Sequence, residues 1–250
     1  MLPTLQIGPL ALPVPGLVIL GGLWIALSVS ERRAVQQGLS TNNFYNLVLI
    51  SLSSGVVGAR LVYVLRYPSA FQASPASLIS INPQLFDPIG GVVIGLLAGI
   101  AYGQRKHFHL WSILDILTPG LAVMGVAFHL SHLASGVAFG KPTQLPWGIS
   151  SWGEIRHPSQ VYETILAGLI LAIVLVLEKR AHAWPSGVLF WIFLGMTSAS
   201  RLFLEVYRGD STLILGGFRQ DQLLAWILLA ISLFGLYKRM EFPTERKEPG

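Results

Sequence analysis

Seven apolar runs punctuate this 250-residue chain, at 14–28, 46–65, 89–102, 113–139, 161–177, 187–203 and 223–237. A helix needs about 20 residues, or about 17 at the short limit, to cross roughly 30 Å of hydrocarbon. Within lipid each backbone N–H and C=O must find its partner inside the segment, so runs of this length are restricted to helices. The chain is therefore predicted to be all-α, a polytopic membrane protein of about seven transmembrane helices. These form a single domain over 1–240, followed by a polar tail over 241–250. The third run is short and carries Gly90, Gly91, Gly95 and Gly99. It reads as either a close-packed helix or a partly re-entrant one.

Composition supports the same class. Hydrophobic residues make up 52% and charged residues 12%, against the roughly one quarter charged in soluble domains. There is no cysteine, which excludes a disulfide framework, a cysteine nucleophile and a thiolate metal site. Any thiol chemistry must use a thiol carried by a substrate. The net charge of +5 does not point to nucleic acid, because the basic residues are dispersed through short loops and form no single patch.

Topology accounts for the basic residues better. Ten of the seventeen Lys and Arg, namely Arg32, Arg33, Arg105, Lys106, Lys179, Arg180, Lys238, Arg239, Arg246 and Lys247, fall on one side of a seven-span arrangement. The other side holds Arg66, Lys141, Arg156, Arg208 and Arg219. The positive-inside rule makes the first side cytoplasmic, with the N-terminus outside and the C-terminus inside. The absence of a basic residue ahead of the first run argues against a cleavable signal peptide. The segment 137–163 then faces outward.

A charge at the bilayer centre costs about 2.5–3.5 kcal/mol on insertion scales, so charges within apolar runs should face the bundle interior or an interface. Arg201 and Glu205 are four residues apart, with Arg208 about one turn further, so all three share a helix face. Arg201 and Glu205 read either as chemistry or as a buried pair fixing helix packing. Arg60, with Tyr63 three residues on, is either functional or snorkels to an interface. Asp115, close to a cytoplasmic loop, reads as a solvated end charge.

The densest polar and aromatic cluster is VAFGKPTQLPWGISSWGEIRHPSQVYE, residues 137–163. A helix is expected to start at Pro158, with His157 near its cap and Gln160 reaching back to the free N–H groups. Gln160, Glu163 and Ala167 then share one face. Arg156 and His157 precede a helix N-terminus that favours an anion, which suggests a phosphate site. The alternative is a loop that caps a membrane helix.

The segments GARLVYVL (58–65), GGVVIG (90–95), FGKPTQLPWGI (139–149), RHPSQVYE (156–163) and RLFLEVYR (201–208) resemble, in order and spacing, the bacterial prolipoprotein diacylglyceryl transferases. The resemblance runs over nearly the whole chain, and RHPSQVYE is its most specific part. It implies a seven-helix enzyme of the bacterial inner membrane, embedded among membrane lipids. Such an enzyme moves the diacylglyceryl group of phosphatidylglycerol to the lipobox cysteine of a prolipoprotein signal peptide, releasing glycerol phosphate. No metal or diffusible cofactor is implied. The matching positions are Arg201, Glu205 and Arg208; Arg60 and Tyr63; Gly90 and Gly91; and Arg156, His157, Ser159, Gln160, Tyr162 and Glu163. Gln222 also falls at a family glutamine.

Several polar positions differ from the family pattern. His129 stands at an arginine, His132 and Ser135 at two asparagines, Val137 at a glutamate, Ile89 at a histidine, and Pro15 at a first-helix tyrosine. Thiol attack needs a base, and a phosphate leaving group needs cations or N–H donors. One arrangement has Arg60, Arg156, Arg201 and Arg208 cradling the phosphate while His129 or His132 acts as base. The two histidines are three apart and share a helix face, which also suits a metal pair, but no third ligand is evident on that face. Two other classes stand beside the transferase: a relative that binds phospholipid or lipoprotein without transfer, and a channel or transporter. The latter is disfavoured because no internal repeat is apparent.

Overall fold

A computed structural model describes residues 4–8, 10–80, 82–151, 153–214 and 217–241. Each apolar run corresponds to one helix of 18 residues or more. These are α1 (Val14–Gln36) and α2 (Thr41–Arg66); then, after a short α3 (Pro68–Ala73), α4 (Pro88–Arg105) and α5 (Leu110–Ser135). The last three are α6 (Ser159–Glu178), α7 (Val188–Glu205) and α8 (Gln220–Glu241). All but α3 and α4 are long and apolar enough to span a bilayer, so six of the seven expected spans meet that measure among the described residues. Among the described residues, three antiparallel hairpins punctuate the connections: β1 (Thr4–Ile7) with β2 (Leu10–Pro13), β3 (Ile149–Ser151) with β4 (Glu154–Arg156), and β5 (Leu213–Ile214) with β6 (Phe218–Arg219). Most of the tail expected over 241–250, with Arg246 and Lys247, lies outside the described residues.

The chain divides into two compact units, one of residues up to 32 together with those from 114 onward, the other of residues 33–113. In the smaller unit α4 is one continuous helix, and its glycines explain the third run: it is the close-packed alternative. A Cβ on Gly91 would lie 2.8 Å from the Ala59 Cβ, and one on Gly95 would lie 2.8 Å from the Ser51 carbonyl oxygen. Backbones can approach this closely only where side chains are absent. Asp87 caps α4, accepting from the Gly90 N–H at 2.7 Å, and pairs with Arg66 Nη1 at 2.7 Å. Gly95→Leu should therefore lower stability by about 1–3 kcal/mol through overpacking. A thermal unfolding scan in detergent would show a fall of several degrees. Gly168→Ala, where a Cβ would meet nothing within 4 Å, should show none.

Arg60 is engaged by protein groups. Its guanidinium donates to the carbonyls of Ser77, Leu78 and Leu85, and it lies 5.3 Å and 5.2 Å from the ring centroids of Phe71 and Phe86. It fastens the 74–85 connection to α2. Tyr63 packs on Tyr67 and Phe71 in the same cluster.

In the larger unit α5, α6 and α7 share an apolar core of Ala122, Ile170 and Val174 with Phe193 and Met196. Asp115 is not solvated. It is 6% exposed and accepts from the Gly187 and Phe190 N–H groups at 2.6 Å and 2.9 Å. The start of α7 has unpaired N–H groups that need an acceptor, and a carboxylate on α5 supplies it. α5 itself stops at Ser135, short of the run's end at 139, because Gly136 takes φ +77° and turns the chain out of the helix.

Candidate active site

The segment after α5 decides where the polar residues go. Residues 139–143 run between two neighbours: Lys141 N–H donates to the Tyr207 carbonyl and Gly209 N–H to that of Phe139, both at 2.9 Å. On the other side His157 N–H donates to Lys141, and Thr143 N–H to Ile155, again at 2.9 Å. Gly140 sits where a Cβ would collide with the His157 carbonyl. This clamp ties the start of α6 to the end of α7.

Most of RHPSQVYE builds that clamp. Arg156 donates from Nη1 to the Gly140 carbonyl at 3.2 Å and from Nη2 to Glu154 at 2.6 Å, over the Phe139 ring. Ser159 Oγ donates to the Ala138 carbonyl at 2.6 Å, and Gln160 Nε2 to that of Val137 at 3.0 Å. Gln160 does not reach back as a cap, and α6 begins at Ser159 with no side-chain cap. The fully buried amide instead satisfies a carbonyl of the turn packed against it. His157, Tyr162 and Tyr207 form an aromatic cluster, and Tyr162 accepts from Trp147 Nε1 at 2.7 Å. They line a groove of about 480 Å³ with Phe203 and Leu166.

Glu163 is the member of the motif that faces elsewhere. As expected it shares the buried face of α6 with Gln160 and Ala167. Its side chain is 2% exposed and meets partners from α5, from α7 and from the segment just past α7. Oε2 lies 3.1 Å from His129 Nδ1 on α5. Oε1 accepts from Arg201 Nη1 on α7 at 3.1 Å and from Arg208 Nη1 at 3.4 Å. Arg201 also bonds Asp221 at the start of α8, and its Nε is 3.5 Å from Oε2 of the fully buried Glu205. Arg208, just past α7, holds Asp210 with bonds of 2.9 Å and 2.8 Å. Burial works against its charge, but Asp210, Glu163 and Glu205 outweigh that and hold its pKa above the ordinary arginine value.

These side chains close one end of a cavity of about 750 Å³, lined at that end by His129, His132, Glu163, Arg201, Arg208 and Asp221. The rest is mostly apolar, with Ala122, Ile170, Phe193, Leu194, Leu224 and Leu228, and includes the hydroxyl residues Thr197, Ser198 and Ser200. An apolar volume with a few convergent charged groups is the usual form of a ligand site. Here its chemistry suits an amphiphile with an anionic head.

Five sequence candidates therefore meet around one carboxylate: His129, His132, Arg201, Glu205 and Arg208. Arg156, His157, Ser159, Gln160 and Tyr162 belong to the clamp and the aromatic groove. Arg60, Tyr63, Gly90 and Gly91 belong to the smaller unit. Asp221 is not among the sequence candidates, although Gln222 beside it falls at a family glutamine. Its signal is topological: α7 and α8 are joined by a short hairpin, so an acid opening α8 returns to the level of Arg201.

A family model described as prolipoprotein diacylglyceryl transferase matches residues 3–238. The chain belongs to that family. Similar proteins include the phosphatidylglycerol–prolipoprotein diacylglyceryl transferase of Geobacter sulfurreducens, 31% identical over 227 residues that cover 87% of each chain. The proteins of the same name from Nostoc sp. and Streptococcus pyogenes are each 28% identical, over 245 and 244 residues. These alignments cover 92% of this chain and 86% of the relative for Nostoc, and 94% of both for Streptococcus. With six apolar helices of spanning length, this member of the diacylglyceryl transferase family is a multi-pass membrane protein.

Proposed function

We propose that the chain transfers the diacylglyceryl group of phosphatidylglycerol to the cysteine thiol of a prolipoprotein signal peptide, in the bacterial inner membrane, with its N-terminus outside. The thiolate sulfur attacks the glycerol carbon that bears the phosphate. A C–S bond forms as the C–O bond breaks, and the electron pair leaves on the oxygen of glycerol phosphate. Because the chain has no cysteine of its own, the reacting thiol is the acceptor's.

The observation that carries this reading is the pairing of two guanidiniums with two imidazoles around Glu163, at the polar end of a mostly apolar cavity. Arg201 and Arg208 receive the donor phosphate, displacing the more exposed Asp221 and Asp210, and stabilise the charge that grows on the leaving group. Glu205 and Glu163 orient them. His129 and His132 expose the thiolate. In the smaller unit Arg60 and Tyr63 fix the 74–85 connection, and Gly90 and Gly91 let α4 close on α2; the family pattern implies that these four also bind substrate. Arg156, His157, Ser159, Gln160 and Tyr162 hold Arg208 and Glu163 in register.

The test is transfer of labelled phosphatidylglycerol to a lipobox peptide by the purified protein in detergent. The expected products are lipidated peptide and glycerol phosphate in equal amounts, and a chain that yields neither overturns the proposal. The His129→Ala/His132→Ala variant should be slower by about 10²- to 10⁴-fold, the range of a lost proton-transfer group. Undiminished transfer would remove the histidines from the mechanism.

A further inference from the structure

His129, His132 and Glu163 have the composition and spacing of a metal site. One ring nitrogen from each histidine and one carboxylate oxygen of Glu163 lie within 4.8 Å of one another. The third ligand missing from the face of α5 arrives from α6. Ligands about 2.0–2.1 Å from a tetrahedral zinc ion sit about 3.3 Å from each other. His129 Nδ1 and Glu163 Oε2 are already 3.1 Å apart, and a ring nitrogen of His132 lies within 4.8 Å of both ligand atoms.

The surroundings fit an ion as well as the distances do. Two imidazoles and a carboxylate are a donor set of catalytic zinc, which keeps a fourth position open, and all three residues line the 750 Å³ cavity into which that position would face. Glu163 divides its two oxygens: Oε1 accepts from Arg201 and Arg208, while Oε2 is turned to His129. Outer contacts of this kind orient a ligating carboxylate. His132 Nδ1 is buried without a hydrogen-bond partner among the described residues. Glu163, Glu205, Asp210 and Asp221 stand against Arg201 and Arg208, and Arg219 donates to the backbone carbonyl of Glu205. Four carboxylates paired with two guanidiniums leave room for a further cation.

We propose that His129, His132 and Glu163 bind one Zn²⁺ ion, whose open position takes the acceptor's sulfur as a thiolate. The same donor set can hold Fe²⁺. Zinc is the better match because a soft thiolate completes its tetrahedron. The fourth ligand rests on the transfer reaction proposed above. The thiol loses its proton to water on coordination, and the metal-bound sulfur supplies the electron pair for the new C–S bond. The histidines would then expose the thiolate by holding the ion rather than by accepting the proton.

The full chain, purified in detergent and equilibrated with Zn²⁺ before gel filtration, should retain about one zinc per chain by elemental mass spectrometry. His129→Ala/His132→Ala should lower zinc affinity by about tenfold or more. Should that variant not fold, the wild-type protein loaded with Co²⁺ gives the answer, through visible absorption bands of tetrahedral cobalt that Zn²⁺ abolishes. Adding a lipobox peptide should add a thiolate-to-cobalt charge-transfer band. In a protein with no cysteine, that band can come only from the peptide. No retained zinc and no tetrahedral cobalt spectrum, or preferential retention of iron, overturns the site. Zinc bound without the peptide-dependent band overturns its role toward the thiol. A metal site with the band, but no lipidated peptide, would keep this inference and sink the transfer reading.

Discussion

Arg201→Lys should lower diacylglyceryl transfer by about 10²- to 10³-fold, the loss seen when one donor to a developing oxyanion is removed, while the protein stays folded. The three guanidinium nitrogens of Arg201 each face a different acid: Nη1 faces Glu163, Nη2 Asp221 and Nε Glu205. A lysine carries the same charge but ends in one ammonium, which cannot reproduce that planar fork. The charge retained keeps the neighbouring carboxylates partly compensated, so stability should change much less than rate. If the arginine stabilises charge that appears only as the C–O bond breaks, kcat falls with kcat/KM. If it merely binds the phosphate head, KM rises alone. Activity within about threefold of wild type, far less than such a donor contributes, would remove Arg201 from the phosphate side of the reaction.

Some of this arrangement is legible in the sequence and some is not, for physical reasons that differ from residue to residue. The helices are legible because bilayer thickness dictates the length of an apolar run, whatever packs around it. The pairing of Arg201 with Glu205 and the shared face of Gln160, Glu163 and Ala167 follow from helical spacing alone. Asp115 is misread because its position at a run's end says nothing about the helix start that lies against it, and the unpaired N–H groups of α7 decide its fate. Gln160 and Arg156 are misplaced for a related reason. Their partners are carbonyls of 137–140, some twenty residues away in a turn with no regular pattern. Arg60 in an apolar run announces a buried charge, but which carbonyls receive it depends on how the 74–85 connection folds back. The junction of His129, Glu163 and Arg201 joins three helices, and no periodicity within one helix can reveal it.

Glu163→Ala should be the most destabilising single change in the cluster, by about 3–5 kcal/mol, because removing one partner of a buried ion pair leaves the other uncompensated. Here one carboxylate serves Arg201, Arg208 and His129 at once. Asp221 and Asp210 still hold the two guanidiniums from their more exposed side, and on the buried side Glu205, 3.5 Å from Arg201 Nε, is left to compensate them. Glu163→Gln isolates the charge from the contacts. Its amide oxygen can still accept from the arginines, so it should cost less than alanine, while transfer falls in both. Adding Arg208→Ala to Glu163→Ala should recover part of the loss, since the second change removes a cation the first leaves unpaired. The departure from additivity in that cycle measures the coupling. Thermal unfolding of the four proteins in one detergent decides the matter. A Glu163→Ala protein as stable as wild type, with strictly additive effects, would mean that the cluster does not hold these three helices together.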